Sequence, residues 1–270
     1  MAKSRSKSSG ARPQRSETAE TVRFMLKLAL FVLIFRSFLL APFSIPSESM
    51  LPRLFVGDYL FVSKWSYGYS RWSLPWGWPL LPNMHWSTPT RGDVVVFRSP
   101  GPDDHDVIKR VIGLPGDTIQ VRHGQVILNG TAIPKQRIGD FTIPVSPNYD
   151  CDARFRDVAA GNTPICRYSQ FRETLPGGRT YTVLDRGEFP DRDDTGLYTV
   201  PAGNVFLMGD NRDDSADSRF PAPDGMGYIP MDRIEGKALV TFFSTDGSAE
   251  WIKPWTWFSA ARPTRIAQGF

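Results

Sequence analysis

One apolar stretch near the start limits every fold open to this chain. A basic, Ser-rich beginning gives way to Leu28 to Phe35, then Arg36 and Ser37, then Phe38-Leu39-Leu40-Ala41-Pro42-Phe43. With Arg36 snorkelling near one end, residues 22–41 approach the ~20 residues that a bilayer-spanning helix needs. Pro42 and Pro46 stop the helix there. A cleavable leader would want a shorter apolar region followed by small residues, whereas Pro42, Phe43, Ile45 and Pro46 follow here. A buried core helix would need an amphipathic stripe that this stretch lacks. The segment therefore reads as an uncleaved transmembrane anchor, residues 22–41, behind a tail of residues 1–21.

Charge supplies the orientation. The 270 residues carry a formal +4, with a pI near 9.1. Residues 1–27 hold seven Lys or Arg against Glu17 and Glu20, a net +5 that leaves −1 for all the rest. A near-neutral body has no basic stripe for a phosphate backbone, which excludes nucleic acid as a partner. The basic cluster before the span, absent just after it, puts the N-terminus in the cytoplasm and residues 44–270 outside.

Beyond Phe55 the pattern is short β-branched or aromatic runs broken by Gly, Pro, Asn and Asp. It predicts strands at 58–63, 92–98, 106–112, 118–122, 125–128, 181–185, 197–200, 204–208 and 236–243. His123-Gly124 and Asn129-Gly130 are hairpin signals. The body is thus mainly β: an antiparallel core from residues 44–133 and 197–250, a Pro-, Gly- and Asp-rich inserted subdomain at 134–196, and a C-terminal tail at 251–270. All eight tryptophans fall in two segments, Trp65 to Trp86 and Trp251 to Trp257. Indole rings favour the membrane boundary, so both segments are expected near the outer leaflet, with ordinary loop packing as the alternative. Cys151 and Cys166 lack histidine neighbours for a metal site. In an exported domain such a pair reads as a disulfide; two free thiols would suit a cytoplasmic one.

Few residues offer chemistry. His85, His105 and His123 have no metal-ligand spacing, and no phosphate-binding Gly-rich loop is present. Asp213-x-Ser215-x-Asp217 lacks the turn glycine of a Ca²⁺ loop, and Asp104-His105-Asp106 reads as solvated surface. Ser49 is more informative, because Pro46 and Pro52 bracket it in an extended piece at the membrane exit. A serine hydroxyl needs a base to act as a nucleophile. Lys109, in a run of Val and Ile, would be desolvated and lose basicity. Alternation alone favours the plainer reading, a lysine snorkelling to water from a sheet edge. Third comes Gly209 to Arg219, which interleaves arginines, acids and serines beyond what a turn requires and reads as an internally paired loop.

Together these pieces resemble a known family. Pro46-Ser47-x-Ser49-Met50-x-Pro52 with Gly57-Asp58, then Lys109-Arg110-Val111-Ile112-Gly113-Leu114-Pro115-Gly116-Asp117, then Gly209-Asp210-Asn211-Arg212-Asp213-x-Ser215-x-Asp217-Ser218-Arg219 match, in order, the motifs of bacterial type I signal peptidases. The resemblance covers residues 22–245. It implies a Ser/Lys-dyad endopeptidase of the bacterial cytoplasmic membrane, with no cofactor or metal, that removes signal peptides from exported preproteins. Ser49 then matches the nucleophile, Lys109 the general base, Ser215 the hydroxyl that orients the lysine, and Ser47 the oxyanion donor. Asp210 and Arg212 match the paired residues that hold the loop, supported by Asp217 and Arg219. Phe43, Ile45, Pro46 and Ile108 match the lining of shallow pockets for small substrate residues. Glu48, Arg53 and Asp214 depart from the usual motif, and a carboxylate at 48 would oppose a developing oxyanion if it pointed inward. The alternatives are a same-fold peptidase dedicated to one conjugation or pilus substrate, and an inactive membrane-tethered binding protein. A β-lactamase-like Ser-x-x-Lys spacing is absent after Ser49, where Leu51, Pro52 and Arg53 stand.

Overall fold

The computed structural model describes residues 17–80, 82–100, 105–221, 224–250 and 252–270. The expected cytoplasmic tail up to residue 16, Asp104, Trp251 and the side chain of Trp76 lie outside the described residues.

Helix α1 runs Glu17–Phe38, 22 residues that rise about 33 Å. Among the described residues no helix is long and apolar enough to cross a membrane, since Glu17, Glu20, Arg23, Lys27 and Arg36 interrupt α1. Its apolar side chains nonetheless stand open: Phe24, Leu26, Phe31 and Val32 are each more than half exposed. The helix also ends earlier than expected. Leu40–Ser44 forms strand β1, paired antiparallel with β2 (Asp58–Ser63), so that Leu40 faces Ser63 and Ser44 faces Tyr59. Pro42 explains the change, because it holds Ala41 extended and cannot donate to a helical ladder. A proline in a strand is tolerated at a sheet edge, and β1 is an edge.

The main sheet has seven strands in the order β1, β2, Ile234–Ser244, Val94–Arg98, Asp106–Gly113, Asn204–Met208, Ile229–Pro230. Alternation along Val94–Arg98 feeds two cores. Val94 and Val96 pack with Ile45, Met50, Leu60 and Ile108, while Val95 and Phe97 pack with Val111, Val205 and Leu207. Asp106–Gly113 is an interior strand, buried from Ile108 onward.

Lys135–Pro144, Arg156–Ala159, Thr163–Thr174 and Thr180–Asp185 form a separate four-stranded sheet, in which the disulfide Cys151–Cys166 ties a loop to the longest strand. Only the last of these strands has an apolar alternation that the sequence reveals. In Lys135–Pro144 Ile143 alone is buried, so that strand lacks the apolar half of its period. The C-terminal residues are no free tail. Thr245 bridges Ala261 and Val240 bridges Gly269, and Arg265 grips buried Asp58 with Nη2–Oδ2 at 2.6 Å and Nε–Oδ1 at 3.0 Å.

Candidate active site

The chain leaves β1 through Ile45, whose N–H donates to the Asp58 carbonyl at 2.9 Å and whose carbonyl accepts from Gly57 at 2.9 Å. That extended grip delivers Ser47, Glu48 and Ser49 to the mouth of a cleft of about 570 Å³. Asn211 fixes the segment from the opposite side. Its backbone N–H donates to the Ser49 carbonyl at 3.0 Å and its side-chain amide to the Glu48 carbonyl at 3.1 Å.

Lys109 Nζ lies 2.7 Å from Ser49 Oγ and 3.1 Å from the Ile108 carbonyl. The lysine is 3% exposed and does not snorkel, because its strand is interior rather than at an edge. Burial pushes its pKa down from the ordinary 10.5 to about 8, against the pull of Asp217, Asp210 and Asp214. Ser47 Oγ stands 3.3 Å from Ser49 Oγ. Phe43, Ile45, Pro46, Ile108 and Val96 line the same cleft, giving it a mostly apolar wall. His105 also lines it and is exposed, while Asp106 pairs with Arg98 at 2.6 Å.

The loop after Asn204–Met208 closes the far side. Gly209 is required there, because a Cβ would fall on Ser215 and 2.6 Å from the Ser49 carbonyl oxygen. Two expectations need correction. Asp210 and Arg212 each pair outside the loop rather than with one another. Asp210 takes Arg110 on both carboxylate oxygens, at 2.7 and 2.6 Å, and Arg212 takes Glu173 at 2.7 Å. Each of these guanidinium forks meets both oxygens of a carboxylate that the fold brings from far along the chain, a two-point, charge-assisted fit. Burial lowers the Arg110 pKa, but the Asp210 carboxylate outweighs it and the net shift is upward. Asp217 and Arg219 pair at 2.9 Å. Burial raises the Asp217 carboxyl, and Arg219 with the Gly209 N–H more than reverses it. Second, Ser215 Oγ is buried and makes no hydrogen bond among the described residues, so the expected bond to Lys109 is not formed.

The family model for signal peptidase, peptidase S26 matches residues 18–243. Signal peptidase I of Rickettsia typhi is 34% identical over 247 residues, covering 85% of this chain and 83% of its own length. The corresponding protein of Rickettsia akari is 34% identical over 232 residues, covering 82% and 77%. This chain belongs to the S26 signal peptidase family. A crystal structure of a signal peptidase I from Enterococcus faecalis V583 is 28% identical and covers 56% of this chain and 97% of that one, at a TM-score of 0.29.

Membership makes the chain a serine endopeptidase and gives the departures from the usual motif a concrete setting. In this S26 peptidase the Glu48 carboxylate does not face the cleft. It meets Arg186 at 3.3 Å, which also holds Asp214 at 3.1 Å and lies over the Tyr168 ring at 4.8 Å. Desolvation and Asp214 raise the Glu48 pKa while Arg186 opposes them. Arg53 turns away too, with its guanidinium 5.4 Å over Phe270. In the Asp213-x-Ser215-x-Asp217 run, Asp213 Oδ2 accepts the Arg186 backbone N–H at 2.5 Å and Asp217 holds Arg219. Arg110, Glu173, Tyr181 and Asn211 are functional neighbours that sequence reasoning missed. Only Asn211 and Arg110 left a signal, inside the Gly-Asp-Asn and Lys-Arg motifs.

Proposed function

We propose that this chain removes N-terminal signal peptides from exported preproteins with Ser49 as nucleophile and Lys109 as general base. The 2.7 Å approach of Lys109 Nζ to Ser49 Oγ, both buried at the floor of a cleft with an apolar wall, carries the reading. Neutral Lys109 takes the hydroxyl proton as Ser49 attacks the scissile carbonyl, then returns it to the leaving amine. Ser47 Oγ and the Ser49 N–H receive the oxyanion, where a donor of this kind contributes about 3–4 kcal/mol. The apolar wall of Phe43, Ile45, Pro46 and Ile108 accepts small residues before the cut. The edge strand β1 and residues 45–48 beside it add the substrate as a further strand.

Helix α1 attaches the enzyme to the bacterial cytoplasmic membrane, with the catalytic body on the outer side. Support comes from the exposed apolar side chains of α1 and from Arg36 near its C-terminal end, which can snorkel. Trp65, Trp78, Trp86, Trp255 and Trp257 are exposed, as rings meant for a lipid boundary would be. An inactive tethered protein would have no use for a buried lysine poised against a serine.

Cleavage of a preprotein in lipid by wild type, Ser49→Ala and Lys109→Met tests the dyad, and activity in both variants would remove it. For wild type, kcat/KM should rise with pH through about 8, because the amine works only after losing its proton. An acid limb near the ordinary lysine value would contradict the role of burial.

A further inference from the structure

The catalytic cleft continues past its pockets. Arg36, Phe43 and Asp106 line both the cleft and a larger groove, about 710 Å³, between α1 and the body. One wall is a single face of α1, with Leu28, Ala29, Val32 and Leu33 at helical spacing. These side chains stay open to the groove: Leu28, Leu33 and Val32 are 45%, 44% and 52% exposed, so the body leaves room beside them. The other wall is Trp72, Leu74 and Pro75.

That second wall is built to hold its shape. Ser70 and Ser73 cap its first turn reciprocally. The Arg71 guanidinium lies 4.2 Å over the Trp72 ring, and a Cβ on Gly77 would come within 2.6 Å of the same indole. Where groove meets cleft the lining turns polar: Lys64 and Glu235 form a buried pair at 2.6 Å, beside the Arg98–Asp106 pair.

We propose that this groove receives the apolar helix of the substrate's signal peptide, laid against the Leu28–Leu33 face of α1. The substrate segment that follows then runs extended through the cleft to Ser49. The inference rests on the signal peptidase activity proposed above and says how its substrate is held. Order along the molecule supports it. Helix α1 passes directly into β1 and on to Ser49, so apolar groove, polar junction, small-residue pockets and nucleophile occur in one line. A signal peptide has the same order: an apolar region of ~7–15 residues, then small residues at the cut. Lengths agree as well. From Met25 to Arg36 the groove follows α1 for about 16 Å, and an apolar helix of ~7–15 residues is about 10–22 Å long.

The test uses the full chain in phospholipid vesicles with two substrates, a preprotein and a short soluble peptide spanning only the cut. Ala29→Trp fills the groove, whereas Ile34→Trp adds the same ring to the opposite face of α1. Ala29→Trp should lower the ratio of preprotein to peptide kcat/KM by about tenfold, the equivalent of losing one buried apolar contact. Ile34→Trp should leave that ratio unchanged. Photocrosslinking gives an independent readout in a Ser49→Ala background. A photoreactive residue at position 29 should capture the apolar segment of the preprotein, and one at 34 should capture lipid alone. Equal ratios for the two tryptophan variants, or capture of lipid alone from both positions, would overturn the groove's role. Failure of wild type to cut even the short peptide would instead overturn the activity on which the inference rests, and the inference with it.

Discussion

Lys109 and Arg110 are neighbours on one interior strand and are 3% and 4% exposed, yet the two faces of the sheet they reach are furnished differently. Arg110 meets both oxygens of Asp210, the Gly92 carbonyl at 2.8 Å and the face of Tyr181 at 4.5 Å. Tyr181 donates to Glu173 at 2.7 Å, and Glu173 in turn holds Arg212. Lys109 meets a hydroxyl and a carbonyl. On the first face every charge is answered by an opposite one, and the arginines stay charged. On the second, burial is answered only by neutral groups in contact, with carboxylates farther off, and the amine gives up its proton near pH 8. One face holds the loop in place; the other has reactivity because it is left incompletely paired.

The sharpest way to break this contrast is to put an arginine on the lysine's face. Lys109→Arg keeps a cation within reach of Ser49 but cannot yield its proton, so kcat on a preprotein should fall by about 10⁴. Raising the pH from 7 to 10 should restore none of it. A variant whose activity returned with pH would show that some other group serves as base.

Next in size is the paired face. Asp210→Ala leaves Arg110 buried without its carboxylate and should lower stability by about 3–5 kcal/mol in urea unfolding. Pairing it with Arg110→Met should recover most of that loss, since the stranded charge is then gone. If the double variant is no more stable than Asp210→Ala, the arrangement contributes something other than charge compensation.

How much of this was readable beforehand depends on distance along the chain. Ser49 between its prolines, Lys109 in its run of Val and Ile, and the crowded loop after Met208 are local patterns. The strands that carry them show the apolar alternation that half-buried strands must have. The paired face is not local. Arg110 and Asp210 are 100 residues apart, Arg265 and Asp58 are 207 apart, and Glu173 looks like any surface acid in its strand until the fold brings Arg212 to it. Strand β1 was hidden for a different reason. Leu40 and Ala41 extend an apolar run that reads as helix, and the pairing with β2 takes them out of it.

The unpaired amine should also have a measurable cost. In the unfolded chain Lys109 is charged below its ordinary 10.5, while in the folded chain it resists charging until about 8. That penalty is absent above pH 10.5, grows as pH falls, and is complete below 8. Removing it by Lys109→Met should stabilise the fold by on the order of 3 kcal/mol at pH 7, with the gain shrinking to nothing above 10.5. Thermal unfolding across that range measures it, and a gain independent of pH would trace to packing of the methionine instead.

Ser215→Ala is the smallest and most discriminating change. The hydroxyl is buried, with no partner among the described residues, so removing it should stabilise the fold by about 1 kcal/mol. A purely structural serine would leave turnover as it was. A serine that orients Lys109 in the substrate complex would instead lower kcat by ~10²-fold with little effect on KM, because its bond would form only as the reaction proceeds. Restoration by Ser215→Thr, which keeps the hydroxyl, would separate loss of the hydrogen bond from loss of volume. Stability up and kcat down in the alanine variant would place Ser215 with the lysine's face rather than with the ion pairs beside it.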